Sequence, residues 1–124
     1  MGILMAISTP WGISQTISVL APGIREVTTA SHGGIKLDSE RNAMIPDYLR
    51  REDGWYEEDC EWARVACIFP QAFSVKDNAY AFDCLKHYCP IGYTKLTGIK
   101  LGINDSSAFR YSRDAWADYQ VEFA

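Results

Sequence analysis

The sequence contains no long apolar run and no excess of positive charge. Its 124 residues include 12 Lys and Arg against 16 Asp and Glu, which gives a net charge of −4. Binding to a nucleic-acid backbone needs an excess of Lys and Arg on some face, so this balance argues against direct nucleic-acid binding. The apolar segment at residues 1–7 is short and has no basic residue. We therefore expect neither a membrane-spanning helix nor a signal peptide there, but a first strand or a packed arm in a cytoplasmic protein.

Histidine and cysteine are also scarce, with two and four residues respectively. Without a secretory signal, the cysteines are expected to be reduced thiols. Cys84 and His87 share a helical face and, with Cys89 and either Cys60 or Cys67, would make a set of zinc ligands. The spacing matches no standard zinc finger, and free cysteines commonly behave as small buried hydrophobic residues. We therefore expect no cofactor, and a structural zinc remains an alternative.

The hydrophobic content is sufficient for one core. Hydrophobic residues make up 48% of the chain and aromatic residues 13%. A chain of this length is expected to form a single compact domain over residues 1–124. The aromatic content predicts either a well-filled core or an aromatic binding surface.

Local patterns predict strands in the first third of the chain. Extended runs at 16–20 and 24–29 flank a Pro-Gly turn at 21–23, which predicts a hairpin. A short third strand is expected at 35–37.

Helices are predicted at 39–44, 55–69 and 75–88. The second is the central helix of the prediction, because apolar residues recur along it at helical spacing. Pro70 and Pro90 are expected to end the second and third helices, which should pack as an antiparallel pair.

The last third of the chain is harder to interpret. Residues 91–106 contain three glycines and are predicted as loop, with room for one short strand. Residues 114–118 fit a helix, but 119–123 alternate between apolar and polar and predict a closing strand. The predicted fold class is α+β: a small antiparallel sheet, made of the N-terminal hairpin and a possible C-terminal strand, packed against two antiparallel helices.

The stretch from Gly54 to Pro70 also carries the densest acidic cluster. Two interpretations remain open. The acidic residues can form the solvated N-terminus of the central helix, where carboxylates interact favourably with the helix dipole. Alternatively, an acidic and aromatic patch can dock on a basic partner surface. The residues predicted for that docking surface are Trp55, Glu57, Glu58, Asp59 and Glu61.

The sequence Ser31-His32-Gly33-Gly34 is the candidate for catalysis. A histidine beside two glycines after a strand can act as a general base, with the loop amides stabilising a developing anion. Cys60 or an acidic residue would then be its partner, if the fold brings them together. The alternative is that the glycines permit a tight turn and that His32 is bonded to backbone.

Several blocks occur in an order that resembles a known family. They are TPWG (9–12), APGI (21–24), TASHGGIKL (29–37), ERNAMIP (40–46) and GWYEEDCEWA (54–63). The chain resembles, over about residues 9–90, a domain-of-unknown-function family of accessory proteins from proteobacterial plasmids, phages and other mobile elements. The resemblance brings no catalytic residues with it. It implies a setting in a bacterial host cell in which small acidic proteins often inhibit host defence, as anti-CRISPR proteins do.

We therefore expect a protein-binding module, of the anti-defence type, that docks an acidic and aromatic surface on a host complex that handles nucleic acid. The expected partner is a protein, with no direct contact to nucleic acid or membrane. A small enzyme that uses His32 and a zinc-stabilised accessory module are the alternatives. The sequence leaves the oligomeric state open.

Overall fold

The computed structural model describes residues 6–124, and the strand or arm predicted at residues 1–7 lies largely outside them. In the described part, a two-stranded sheet precedes a four-stranded one, and both are antiparallel. The small sheet pairs β1 (Ser8–Thr9) with β2 (Gly12–Ile13). The larger sheet has the order β3 (Thr16–Ala21), β4 (Ile24–Thr28), β5 (Gly33–Leu37) and β6 (Trp55–Glu57).

Helices cover the core face of the larger sheet and make up the C-terminal third. They are α1 (Ser39–Met44), α2 (Trp62–Ile68), α3 (Val75–Tyr88), α4 (Pro90–Thr97), α5 (Ser107–Tyr111) and α6 (Arg113–Glu122). Side-chain caps begin several of them: the carboxylate of Asp38 accepts from the Arg41 amide, and the hydroxyl of Ser74 accepts from the Asp77 amide. The α+β fold class predicted from the sequence is confirmed.

The larger sheet buries one face against the helices. In the register, Ile35 of β5 lies opposite Tyr56 of β6, and residues that pair across antiparallel strands share a face. Ile24 and Leu37 pair on the same face, and all four side chains are at most 3% exposed. Helix α2 packs on β5 and β6 at this face, and α3 packs on α2. The hairpin predicted at β3 and β4 is confirmed, and so is a third strand at β5.

The outer face of the sheet is covered by Trp11, which lies in the turn between β1 and β2. Its ring packs edge-on against Trp55, with the ring centroids 5.6 Å apart. A side chain at Gly34 would collide with the Trp11 ring and with the carbonyl oxygen of Tyr56. The second glycine of the Ser-His-Gly-Gly sequence therefore lets an indole lie directly on the strand.

The prediction of a helix over 55–69 is wrong in its first half. Residues 55–57 form β6, and α2 begins only at Trp62. The helical spacing of Tyr56 and Cys60 suggested a continuous helix, but β5 offers an unpaired edge, and β6 satisfies its backbone groups. The acidic residues therefore do not lie in the first turn of α2, which contains none.

The closing strand predicted at 119–123 is also wrong, because these residues continue α6 to Glu122. Ala115, Tyr119 and Phe123 recur every four residues and face a second, smaller core around Phe109. The alternation of Tyr119, Val121 and Phe123 with polar residues imitates a strand, but Val121 is 78% exposed and does not share the buried face of Tyr119.

The predicted loop at 91–106 is helical in its first part. Helix α3 does end before Pro90, as expected, but Pro90 also begins α4. Proline fits this first helical position because it has no N–H to lose and its φ is already helical. Gly98, with φ of +76°, then ends α4 in the left-handed conformation that glycine adopts readily.

A buried polar network joins β6 to the segment that follows α1. The Tyr56 hydroxyl, fully buried, donates to Asn42 Oδ1 at 2.6 Å and accepts from the Arg51 amide at 3.0 Å. Asn42 Nδ2 donates in turn to the Arg51 carbonyl oxygen at 2.9 Å. Burial raises the pKa of Tyr56, because the phenolate would lose its hydration.

We expect Tyr56→Phe to destabilise the fold by about 1–3 kcal/mol, because it leaves Asn42 Oδ1 buried without this donor and removes the acceptor of the Arg51 amide. Urea unfolding followed by circular dichroism measures this. Tyr111→Phe is the matched control, since Tyr111 is 89% exposed, and its effect should be within about 0.5 kcal/mol of zero. Equal stability of the two variants would contradict the role given to the network.

Candidate functional site

A cavity of about 390 Å³ opens between strands β4 and β5 and the beginnings of α2 and α3. We call it the acidic groove. Its floor is made by residues of β4 and β5, and its walls carry three carboxylates and three aromatic rings. These wall residues are Glu26, Glu58, Asp77, Trp62, Phe73 and Tyr80.

The three carboxylates come from three different elements. Glu26 lies on β4 opposite Ile35 and therefore points from the same face of the sheet as the buried core. Glu58 follows β6, and its amide donates to the Gly33 carbonyl oxygen at 2.9 Å, which extends the strand pairing by one residue. Asp77 lies in the first turn of α3, where its charge also complements the helix dipole.

Gly33 allows Glu58 to lie against the sheet. A Cβ atom at Gly33 would lie 2.9 Å from Glu58 Oε2 and 3.0 Å from the carbonyl oxygen of Val27. Both distances are shorter than ordinary carbon–oxygen contacts. The two glycines after His32 thus serve opposite faces of β5, one for the Trp11 indole and one for the Glu58 carboxylate.

The aromatic wall is centred on Trp62. Its ring stacks on the Tyr80 ring, with the centroids 6.0 Å apart and the planes at 24°. The centroid of the Phe73 ring lies 6.2 Å from that of Trp62. Trp62 and Phe73 also pack against the main core, which holds them in place. Tyr80 is 60% exposed, so it presents its ring at the mouth of the groove.

The groove carries uncompensated negative charge. Among residues 6–124, no ion pair involves Glu26, Glu58 or Asp77. The described residues that line the groove include no Lys or Arg. All three carboxylate residues are exposed, so their charge can attract a cation that approaches the groove.

The residues predicted for the docking surface do not form one patch. Of that set, only Glu58 lines the groove, and Asp59 is exposed beside it. Trp55 lies on the outer face of the sheet, where the Lys36 ammonium is 5.4 Å from its ring centroid. Glu57 is two residues after Trp55 on β6 and therefore lies on the same outer face.

Glu61 has a structural role. Its carboxylate pairs with Arg51 at 3.1 Å and accepts from the Glu57 amide at 3.2 Å. The side chain is 19% exposed. This pairing holds the connection between β6 and α2. The Glu61 carboxylate, which the sequence predicted to face a partner, is instead paired within the chain.

Sequence reasoning missed Glu26, Asp77, Phe73 and Tyr80 as site residues. Glu26 and Asp77 are 51 positions apart in the chain, and no local pattern connects them. The only signal was that Glu26 shares a strand face with Ile24, which placed a carboxylate on the core side.

His32 is held in a turn rather than in a cavity. Its amide donates to Thr29 Oγ1, and its carbonyl oxygen accepts from the Thr29 amide at 2.7 Å. Its Nδ1 lies 3.8 Å from Glu57 Oε1, and His32 itself is exposed. His32 thus has Glu57 as an acidic neighbour, but neither residue lines the acidic groove.

Cys60 lacks the character of a nucleophile. Burial raises the pKa of its thiol, and the nearby charge of Glu61 raises it further. A reactive thiol needs the opposite shift, because the thiolate is the nucleophile. No hydrogen bond joins Cys60 to His32 among the described residues.

The zinc candidates are not assembled into a site. Residues 6–124 contain no group of three or more His, Cys, Asp or Glu side chains placed to hold a metal ion. His87 Nδ1 accepts from the Ser107 amide at 3.0 Å and so ties α3 to α5. Cys84 is buried beside Cys67 in the core, and Cys89 is half-buried at the end of α3.

Comparison with known proteins places the chain in a family. The model of a domain of unknown function, DUF7007, matches residues 5–119, and the chain belongs to this family. No curated protein and no solved structure matches the chain. Among the described residues, no helix is both long enough and apolar enough to cross a membrane.

We expect the stability of the fold to fall as pH rises above about 8.5, the ordinary pKa of a cysteine. Burial, and secondly the nearby Cys84, raise the pKa of Cys67 to about 12. Between these two values the unfolded chain has lost the thiol proton and the folded chain keeps it. Loss of the proton therefore lowers the free energy of the unfolded state, and the stability of the fold falls by at most about 1.4 kcal/mol per pH unit for one thiol.

Urea unfolding of the wild type and of Cys67→Ala between pH 7 and 10 measures this effect. The variant should lose stability less steeply with pH, although it starts from a lower value because a buried sulfur is removed. Near pH 7 the stabilities of the two proteins should change with pH in parallel, because Cys67 keeps its proton in both the folded and the unfolded wild type. Equal slopes above pH 8.5 would contradict the assignment.

Proposed function

We propose that this DUF7007 protein is a binding module that docks the acidic groove on a basic surface of a partner protein. The supporting observation is the groove itself, which is lined by three aromatic rings and by three carboxylates that are in no ion pair within residues 6–124. Charge complementarity of this kind accelerates association and selects partners more than it adds affinity. Aromatic side chains with one polar end are typical anchors of protein interfaces.

The partner we propose is a protein of a bacterial defence complex that handles nucleic acid. Such proteins carry Lys- and Arg-rich surfaces because they neutralise phosphates. A small acidic module can occupy such a surface and inhibit the complex. The family resemblance to accessory proteins of mobile elements supports this setting, and the groove supplies a place for the contact.

We expect neutralisation of the groove to abolish partner capture. The test variant is Glu26→Gln, Glu58→Gln and Asp77→Asn, used as bait beside the wild type in lysate of a bacterial host. The matched control is Glu40→Gln, Asp47→Asn and Asp118→Asn, which removes the same charge from exposed residues outside the groove. Captured proteins are identified by mass spectrometry, and retention is measured against added salt.

We expect the wild-type and control baits to retain a basic protein. The groove variant should lose the same protein. Equal loss with both variants would show that overall charge, and not the groove, drives the interaction. Retention by the groove variant would contradict the proposal directly.

The inhibitory role has its own test. Cells that carry a nucleic-acid-targeting defence system and express the wild-type protein should show restored phage plating, whereas cells that express the groove variant should not. A panel of such systems in which none is relieved would contradict the anti-defence role, while leaving the binding function to be judged by capture.

A further inference from the structure

We propose that the acidic groove is a receptor for an arginine side chain presented by a basic segment of the partner protein. This inference rests on the proposed function and specifies which group enters the groove. Both the carboxylates and the aromatic rings are needed for it, because either kind of side chain alone has a simpler explanation.

The carboxylates by themselves would attract any cation. Glu26, Glu58 and Asp77 line the cavity from a strand, a connection and a helix. An ammonium group is a compact charge that satisfies one or two carboxylates and keeps part of its hydration. A guanidinium group presents five N–H donors in a planar fork, so it can bond to carboxylates on more than one side.

The aromatic wall adds a preference for a flat cation. Trp62 and Tyr80 are near-parallel, at 24°, and Tyr80 is 60% exposed at the mouth. A guanidinium stacks on such a ring face and is more weakly hydrated than an ammonium, so it loses less on entry. Trp62 is also fixed by its contact with Phe73 and by the core, which makes the wall rigid before binding.

The size of the cavity favours a side chain delivered by a peptide over a free ion. A volume of about 390 Å³ lies within the range of pockets that hold organic groups of drug size. An inorganic cation would leave most of this volume and the aromatic wall without contact. An extended arginine, with its apolar stem along Phe73 and its head among the carboxylates, would use both parts of the lining.

The test uses blocked peptides that differ only in the central residue, arginine or lysine, flanked by glycine and serine. Binding is followed by the indole N–H resonance of Trp62 in two-dimensional NMR spectra, assigned with Trp62→Phe. We expect the arginine peptide to bind at least about fivefold more tightly than the lysine peptide. The paired substitution Glu58→Gln with Asp77→Asn should remove binding of both peptides, and Glu40→Gln with Asp47→Asn should not.

Two variants of Tyr80 separate the ring from its hydroxyl group. Tyr80→Phe should retain the preference for arginine, because the ring remains. Tyr80→Leu keeps an apolar side chain but removes the ring, so it should lower arginine binding severalfold and leave lysine binding nearly unchanged. Both variants replace a largely exposed residue, and their folded spectra verify that any loss is local.

Equal binding of the two peptides would overturn the arginine assignment while leaving a docking surface for basic proteins intact. Tighter binding of free spermidine than of the arginine peptide would also overturn it, in favour of a small polyamine ligand. If neither peptide binds but the groove variant still loses its captured partner, the inference fails and the proposed function stands. If neither peptide binds and no partner is captured, both fail.

Discussion

The hydroxyl of Tyr56 joins the parts of the N-terminal region that the sheet alone does not connect. It bonds to Asn42 at the end of α1 and to the Arg51 amide in the segment leading to β6. Arg50 reinforces the same region, because its Nε donates to the carbonyl oxygens of Asn42 and Ile45. A buried network of this kind is costly when one member is missing and specific when it is complete. Within residues 6–124, no buried side-chain nitrogen or oxygen lacks a partner.

The position of the groove follows from this network. With Tyr56 fixed, β6 pairs with β5, and Glu58 follows at the end of the strand beside Gly33. The pair between Arg51 and Glu61 then sets where α2 starts, and Trp62 is the first residue of that helix. The carboxylate and the indole of the groove thus follow β6 directly in the chain, on either side of the Glu61 carboxylate that Arg51 holds.

The acidic groove is distinguished by what surrounds its carboxylates rather than by their lack of ion pairs. Lys95 pairs with Glu122 at 2.7 Å, which ties α4 to α6. Among residues 6–124, no ion pair involves Glu26, Glu58 or Asp77, and exposed carboxylates outside the groove, such as Glu40 and Asp118, are also in none. The three groove carboxylates, however, line one cavity together with Trp62, Phe73 and Tyr80.

Residue patterns predicted the elements whose partners are close in sequence. The hairpin of β3 and β4 follows from the Pro-Gly turn, and α3 follows from the Ser74 cap and the helical spacing after it. The errors fell where distant contacts decided the outcome. Residues 55–57 became a strand because β5 had an open edge, although their spacing to Cys60 was helical.

The candidate site shows the same limit. Glu58 was predicted as a docking residue from the density of acidic residues alone. Its neighbours in the groove, Glu26 and Asp77, come from elements whose packing no local pattern reveals. Conversely, Glu61 was predicted to face a partner, but its pairing with Arg51 turns it inward. Composition thus indicated an acidic and aromatic surface, and tertiary structure decided which residues form it.

The most direct test of the account is a site-specific photocross-link from the groove in living cells. A photoreactive phenylalanine analogue is placed at Tyr80, at the mouth of the groove, and separately at Tyr111, which is exposed but does not line it. After irradiation of bacterial host cells, the cross-linked peptides are sequenced. We expect position 80 to attach to an arginine-containing basic segment of one partner and position 111 not to do so. Cross-links from both positions to the same proteins, or from position 80 to segments without basic residues, would contradict it.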